Sequence, residues 1–233
     1  MSEVNEGRKA LRLLVEIVIC FFIAVVLVGI VQQFFLAPVG VVGSSMYPTI
    51  NSEGDKVFVQ KRFFTVSRGD VVVFYRPNSD DVTSKNPSNS ITISDFFNSM
   101  PFVNKIPHVK EESSSDSDYT CVIKRVVGLP GDTIEIREDP LNPGIAQLFV
   151  NGSAVKNDFV MHSKTLYGYG VKTLPLASWT VGEGELFVLG DNRDNSFDSE
   201  DYGPIQSDWL MGRVVLARID GKYKFGLKKS YDE

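Results

Sequence analysis

Ser44 and Ser45 stand together in Gly43-Ser44-Ser45-Met46-Tyr47-Pro48-Thr49. A serine oxygen attacks a carbonyl carbon only when a nearby base takes its proton. Pro48 fixes its own φ and pushes Tyr47 towards an extended conformation, so the stretch reads as a strand end turning a corner and presenting a hydroxyl. Alone it is an ordinary serine-rich turn, and the base must come from elsewhere in the chain. Neither His108 nor His162 has neighbours at metal-ligand spacing. Cys20 and Cys121 form no disulfide framework and no Cys/His metal pattern. Nothing in the sequence calls for a metal or an organic cofactor.

The candidate base lies in Cys121-Val122-Ile123-Lys124-Arg125-Val126-Val127. This run is apolar on both faces, as a buried strand is. Alternation places Lys124 with Val122 and Val126, and Arg125 with Ile123 and Val127. A lysine between valines on a buried face is disfavoured unless it is paired or neutral. Burial favours the neutral amine, the form that can accept a proton. A snorkelling or ion-paired lysine is the other reading of the same pattern. A third polar cluster follows the buried strand Leu186-Phe187-Val188-Leu189. It is Gly190-Asp191-Asn192-Arg193-Asp194-Asn195-Ser196-Phe197-Asp198-Ser199, dense in charge and acceptors. It reads either as a solvated turn or as a polar network beside a site.

These pieces need elements to hold them. The chain has 233 residues and a net charge of −5, enough for one or two domains and no sign of nucleic acid as the partner. Residues 17–31 carry no charge, and apolar residues on both sides extend them to the roughly 20 that cross a bilayer as a helix. Arg8, Lys9 and Arg12 just before the run predict a cytoplasmic N-terminus, with the rest of the chain outside. A cleaved leader is the alternative, but the run exceeds the usual leader core and no small-x-small site follows it. Beyond Thr49 the chain becomes β-like. Lys56–Gln60 alternates in part, and Asp70-Val71-Val72-Val73-Phe74 follows the turn signal Arg68-Gly69. Residues 76–119 read as a polar surface loop with a more apolar middle at 93–103. Asn151-Gly152 marks a hairpin turn after a strand, with Asn151-Gly152-Ser153 also matching a glycosylation acceptor. A last strand falls within residues 209–219.

Four segments in this order resemble the bacterial type I signal peptidases. They are Ser45-Met46-Tyr47-Pro48-Thr49; Arg68-Gly69-Asp70-Val71-Val72-Val73-Phe74; Lys124-Arg125-Val126-Val127-Gly128-Leu129-Pro130-Gly131-Asp132; and residues 190–199. The resemblance covers residues 13–75 and 120–220. It implies a membrane-bound serine endopeptidase that cuts exported preproteins after a small-x-small sequence. In that case Ser45 is the nucleophile and Lys124 the general base. Ser196 orients the lysine, Asp198 supports the same loop, and Arg125 pairs with Asp191. Gly43, Ser44 and Met46 lie around the oxyanion and substrate, with the Ser45 N–H as first oxyanion donor.

The implied fold is mainly β: one transmembrane helix, then an extracytoplasmic all-β catalytic domain with a small β subdomain. The expected boundaries are a cytoplasmic tail at 1–12, the helix at 13–36 and a catalytic core at 37–136 and 181–222. The small subdomain takes 137–180 and a tail 223–233. The partners are preproteins and the lipid bilayer, with no nucleic acid.

Two departures from the family pattern stand out. Gly43 occupies a position where many members carry a serine that helps the oxyanion hole. Asp198-Ser199-Glu200 replaces Asp-Ser-Arg, which removes the usual cation beside Asp198. Arg193 or Arg218 is expected to replace that cation, with Glu200 turned to solvent. Two rivals share parts of the pattern. One is an anchored relative without activity. The other is a self-cleaving Ser/Lys regulator, a group that has a DNA-binding region where this chain has its apolar run.

Overall fold

The computed structural model describes residues 2–51, 54–78, 108–109, 119–138, 146–155 and 177–229. His162 and the apolar middle of the 76–119 loop lie outside them. Helix α1 runs Ser2–Phe34. Its stretch Gly7–Val31 is long and apolar enough to cross a membrane. Leu13, Ile17, Phe21, Phe22 and Leu27 all point away from the protein. An apolar surface on all sides suits lipid, and a helix satisfies its own backbone there. The helix begins well before residue 13, so the expected tail continues it, with Arg12 paired to Glu16 one turn on at 3.3 Å.

A single residue separates α1 from strand β1 (Leu36–Val41). That residue, Phe35, accepts a backbone bond from Lys61 at 2.9 Å and stacks on Phe63 with ring centres 6.0 Å apart. The helix exit is thereby tied to the end of β2 (Lys56–Gln60). The other strands of the large sheet are β3 (Val71–Pro77), β4 (His108–Val109), β5 (Tyr119–Gly128), β10 (Glu185–Leu189), β11 (Ile205–Gln206), β12 (Leu210–Ile219) and β13 (Lys222–Phe225). Among the described residues their order is β11-β10-β5-β3-β12-β2-β1-β4, with β13 on β12. Strand β5 is therefore interior, antiparallel to β3 and β10. Both its faces are covered from Val122 onward, as apolar residues on both faces require.

A second sheet holds β6 (Thr133–Glu138), β7 (Ala146–Val150), β8 (Ser153–Ala154) and β9 (Ala177–Thr180), in the order β8-β7-β6-β9. The Asn151-Gly152 turn forms as expected, with φ of 53° and 78°, the left-handed values of a two-residue hairpin turn. Ile134, Ile136, Leu148 and Val150 pack against Val127, Phe187 and Leu189 of the large sheet.

Strand pairing moves two expected boundaries. The small sheet starts at Thr133, because β6 bonds to β7 and β9 and not to the core strands. The expected C-terminal tail is also part of the core. Phe225 pairs with Leu216, and Leu227 is buried in the cluster with Val39, Val57 and Met46.

Candidate active site

The serine turn follows β1 directly. Gly43 sits at φ 102°, a left-handed value that turns the chain at little cost only for glycine. Backbone bonds from Tyr47 N to Ser44 O and from Ile50 N to Met46 O, both 3.0 Å, close the turn, and the Tyr47–Pro48 bond is cis. Met46 and Ile50 are fully buried in the β1/β2/β12 core and plug the turn into it. Met46, which the resemblance places around the oxyanion and substrate, buries its own side chain in this core. Ser45 is 2% exposed.

The loop after β10 grips this turn from the opposite side. Asn192 N–H donates to Ser45 O at 2.8 Å, and Asn192 Nδ2 to Ser44 O at 3.1 Å. Asn195 Nδ2 donates to the Ser44 hydroxyl at 2.8 Å. Gly190 makes this approach possible. A Cβ there would lie 2.6 Å from Ser45 O and 2.2 Å from Ser196 Oγ. The Ser45 carbonyl and the Ser196 hydroxyl therefore crowd one point.

Lys124 reaches the same point from the interior strand. It is 1% exposed, on the β5 face shared with Val122 and Val126, and Nζ donates to Ser196 Oγ at 2.8 Å. The loop bearing Ser196 is braced by Arg76, whose guanidinium lies 4.8 Å from the Phe197 ring centre and 5.0 Å from that of Tyr202.

Arg125, on the other face of β5, forms a buried hub. Nε and Nη2 take the two oxygens of Asp191 at 2.8 and 2.6 Å, and Nη1 takes the carbonyls of Gly69 and Leu227 at 2.7 and 2.6 Å. Both side chains of the pair are 0% exposed. A buried charge pair needs such full bonding to offset desolvation. Thr49 joins it, donating to Asp191 Oδ2 and accepting from Arg125 Nη2 at 3.5 Å.

The Asp198 expectation is corrected. Among the described residues its partners are backbone N–H groups, Gly190 N at 3.0 Å and Glu200 N at 3.3 Å. Asp198 caps a one-turn helix, α2 (Ser199–Tyr202), and Asp201 caps back onto the Asp198 N–H at 3.0 Å. Arg193 Nε donates instead to Gly190 O at 2.8 Å, and Arg218 is exposed on β12. A carboxylate at a helix N-terminus already faces donors and a favourable dipole, so it needs no cation. Glu200 is half-buried and belongs to that first turn.

The profile of the signal peptidase family, peptidase S26, matches residues 14–218. The chain belongs to this family. It is 30% identical to signal peptidase I S of Bacillus subtilis over 231 residues, 97% of this chain and 94% of that one. It is also 30% identical to signal peptidase I of Mycobacterium tuberculosis over 238 residues, 95% of this chain and 75% of the other. A signal peptidase I of known structure from Enterococcus faecalis aligns with 65% of this chain and 98% of its own, at 23% identity and a TM-score of 0.35. The enzyme is thus a serine-type peptidase of the signal peptidase I class.

Within this peptidase the structure gathers Ser45, Lys124 and Ser196 around Gly190, and separately pairs Arg125 with Asp191. No group of His, Cys, Asp and Glu suited to a metal occurs among the described residues. Sequence reasoning missed the work of Gly190, Asn192, Thr49 and the Leu227 carbonyl. Thr49, Gly190 and Asn192 lie inside the four segments, a signal of place without one of role. A backbone carbonyl leaves no trace in sequence.

Proposed function

We propose that this peptidase is anchored by α1 as a single-pass membrane protein and removes signal peptides from exported preproteins after a small-x-small sequence. Ser45 Oγ attacks the scissile carbonyl and the neutral Lys124 amine takes its proton. The tetrahedral oxyanion accepts a hydrogen bond from the Ser45 N–H. Lys124 then protonates the leaving amine, and the ester left on Ser45 is hydrolysed by a water that Lys124 deprotonates. Ser196 holds the amine in line throughout. The observation that carries this reading is the buried Lys124 amine on Ser196 Oγ, in the space that Ser196 shares with the Ser45 carbonyl at Gly190.

Arg8, Lys9 and Arg12 put the N-terminus in the cytoplasm and the β domain outside. The one-residue link at Phe35 keeps that domain at the bilayer surface, where a cleavage site emerges. A substrate strand adds to the β1 edge leading to Ser45. At Gly40 and Val41 that edge is paired with β4, so a substrate strand there takes the place of His108–Val109.

The test is incubation of the full chain, in detergent or vesicles, with a preprotein, followed by mass spectrometry of the cut. Cleavage at the end of the leader by the parent protein, lost in Ser45→Ala and in Lys124→Ala, is expected. Substantial cleavage by either variant would defeat the assignment.

A further inference from the structure

The turn that carries Ser45 and the strand that carries Lys124 come from distant parts of the chain, and their relative position has to be set to a fraction of an ångström for proton transfer. Their backbones are joined through the buried hub. Thr49 closes the serine turn, four residues after Ser45. Its hydroxyl donates to Asp191 Oδ2 and accepts from Arg125 Nη2 at 3.5 Å. Arg125 is the residue next to Lys124 on β5, and it cannot shift, because the Gly69 and Leu227 carbonyls hold its Nη1. Asp191 immediately precedes Asn192, whose N–H holds Ser45 O at 2.8 Å. The serine turn is therefore held at one end by the Asn192 N–H and at the other by the Thr49 hydroxyl, both referred to the same ion pair.

We propose that Thr49 is a positioning residue for cleavage: its hydroxyl sets the Ser45 turn in register with the Lys124 strand through Arg125 and Asp191. The inference rests on the Ser45/Lys124 reading above. The chemistry requires a group that gives a hydrogen bond to a carboxylate and takes one from a guanidinium at once. A hydroxyl does both, serine as well as threonine, and valine of the same shape does neither. Among the described residues, Thr49 is a side chain that links the Arg125–Asp191 pair to the turn.

The experiment compares the full-length parent, Thr49→Val, Thr49→Ser and Thr49→Ala, each checked for folding by its Tm. Two readouts are taken below every Tm: kcat and KM on a peptide with Ala at −1 and −3, and amide hydrogen exchange of residues 44–50. Thr49→Val should lose kcat by about tenfold or more, since small misplacements at a catalytic centre are costly, while KM stays near the parent value. Thr49→Ser should recover most of the loss. Exchange in 44–50 should speed up in Thr49→Val and Thr49→Ala but not in Thr49→Ser, with the small sheet unchanged. Parent-like kcat in Thr49→Val, a loss confined to KM, or a loss that Thr49→Ser does not restore would overturn the proposal. So would unchanged exchange in the turn, a readout that needs no turnover. If the folded parent cut nothing, the Ser45/Lys124 reading would fail and the role of Thr49 in cleavage with it; an exchange pattern that still held would leave Thr49 only as a clamp on the turn.

Discussion

Gly190→Ala adds one methyl group and touches no side chain proposed to react, yet it should inactivate the enzyme. The new Cβ would lie 2.2 Å from Ser196 Oγ, 2.7 Å from Ser196 Cβ and 2.6 Å from Ser45 O. Comfortable contact needs about 3.5 Å, so the neighbours must retreat by roughly 1 Å. The Ser196 hydroxyl can rotate away, but it then leaves Lys124 Nζ, which it holds at 2.8 Å. The Ser45 carbonyl cannot rotate. It is backbone, and it is held at 2.8 Å by the Asn192 N–H. Overpacking of this kind costs about 1–3 kcal/mol. For a protein of this size that lowers Tm by roughly 2–12 °C, at about 2–4 °C per kcal/mol. A displacement near 1 Å at the reacting groups costs about a hundredfold in rate. The assay is kcat/KM on the Ala-containing peptide below the variant's Tm, with Tm followed separately. A variant with kcat/KM within about threefold of the parent would refute the reasoning, because Ser45 and Ser196 would then separate without consequence.

Removing one partner of the buried pair, in Asp191→Ala, should cost about 3–5 kcal/mol in urea unfolding followed by Trp179 and Trp209 fluorescence. Arg125→Met with Asp191→Leu should recover part of it, leaving the Gly69 and Leu227 carbonyls without their donor; a loss below about 1 kcal/mol in Asp191→Ala would contradict the burial argument. A base that works only as the free amine makes kcat/KM rise with pH into the alkaline range, so a profile that falls from pH 6 upward in the folded enzyme would exclude Lys124. At the turn between the two sheets, burial pushes the Asp132 carboxyl up, but the Leu129 N–H, Arg68 and Asn151 outweigh it and hold the group below the usual carboxylate range. A depressed carboxylate stabilises the fold above its unfolded value and loses that contribution as pH falls through the folded one. Asp132→Ala should therefore cost about 1–2 kcal/mol at pH 7, with the gap narrowing as pH falls below the usual carboxylate range; a gap that stays constant would show that the charge is not what matters.

The sequence by itself determined the long apolar helix, the buried character of β5, the Asn151-Gly152 hairpin and the four segments that carry the family match. Each of these is local. A charge-free run of membrane length, a both-faced apolar strand and a turn dipeptide declare themselves within a few residues, and the order of motifs survives wherever the chain folds. Local pattern also explains where it erred. Nothing local shows that Met46 is buried, since only the packing of β1, β2 and β12 decides which residues of the turn are core. Counting charges left Asp198 short of a cation, because a helix of one turn, too short to read in sequence, supplies the N–H groups instead. The C-terminal residues looked like a tail because nothing in Leu227 foretells that its carbonyl meets a guanidinium more than a hundred positions earlier in the chain. Strand pairing brought Gly190, Ser196, Lys124 and Ser45 to one point, and the clearance at Gly190 depends on the Ser45 carbonyl and the Ser196 side chain at once. Residue types fix which groups could react; long-range packing alone fixes their distances.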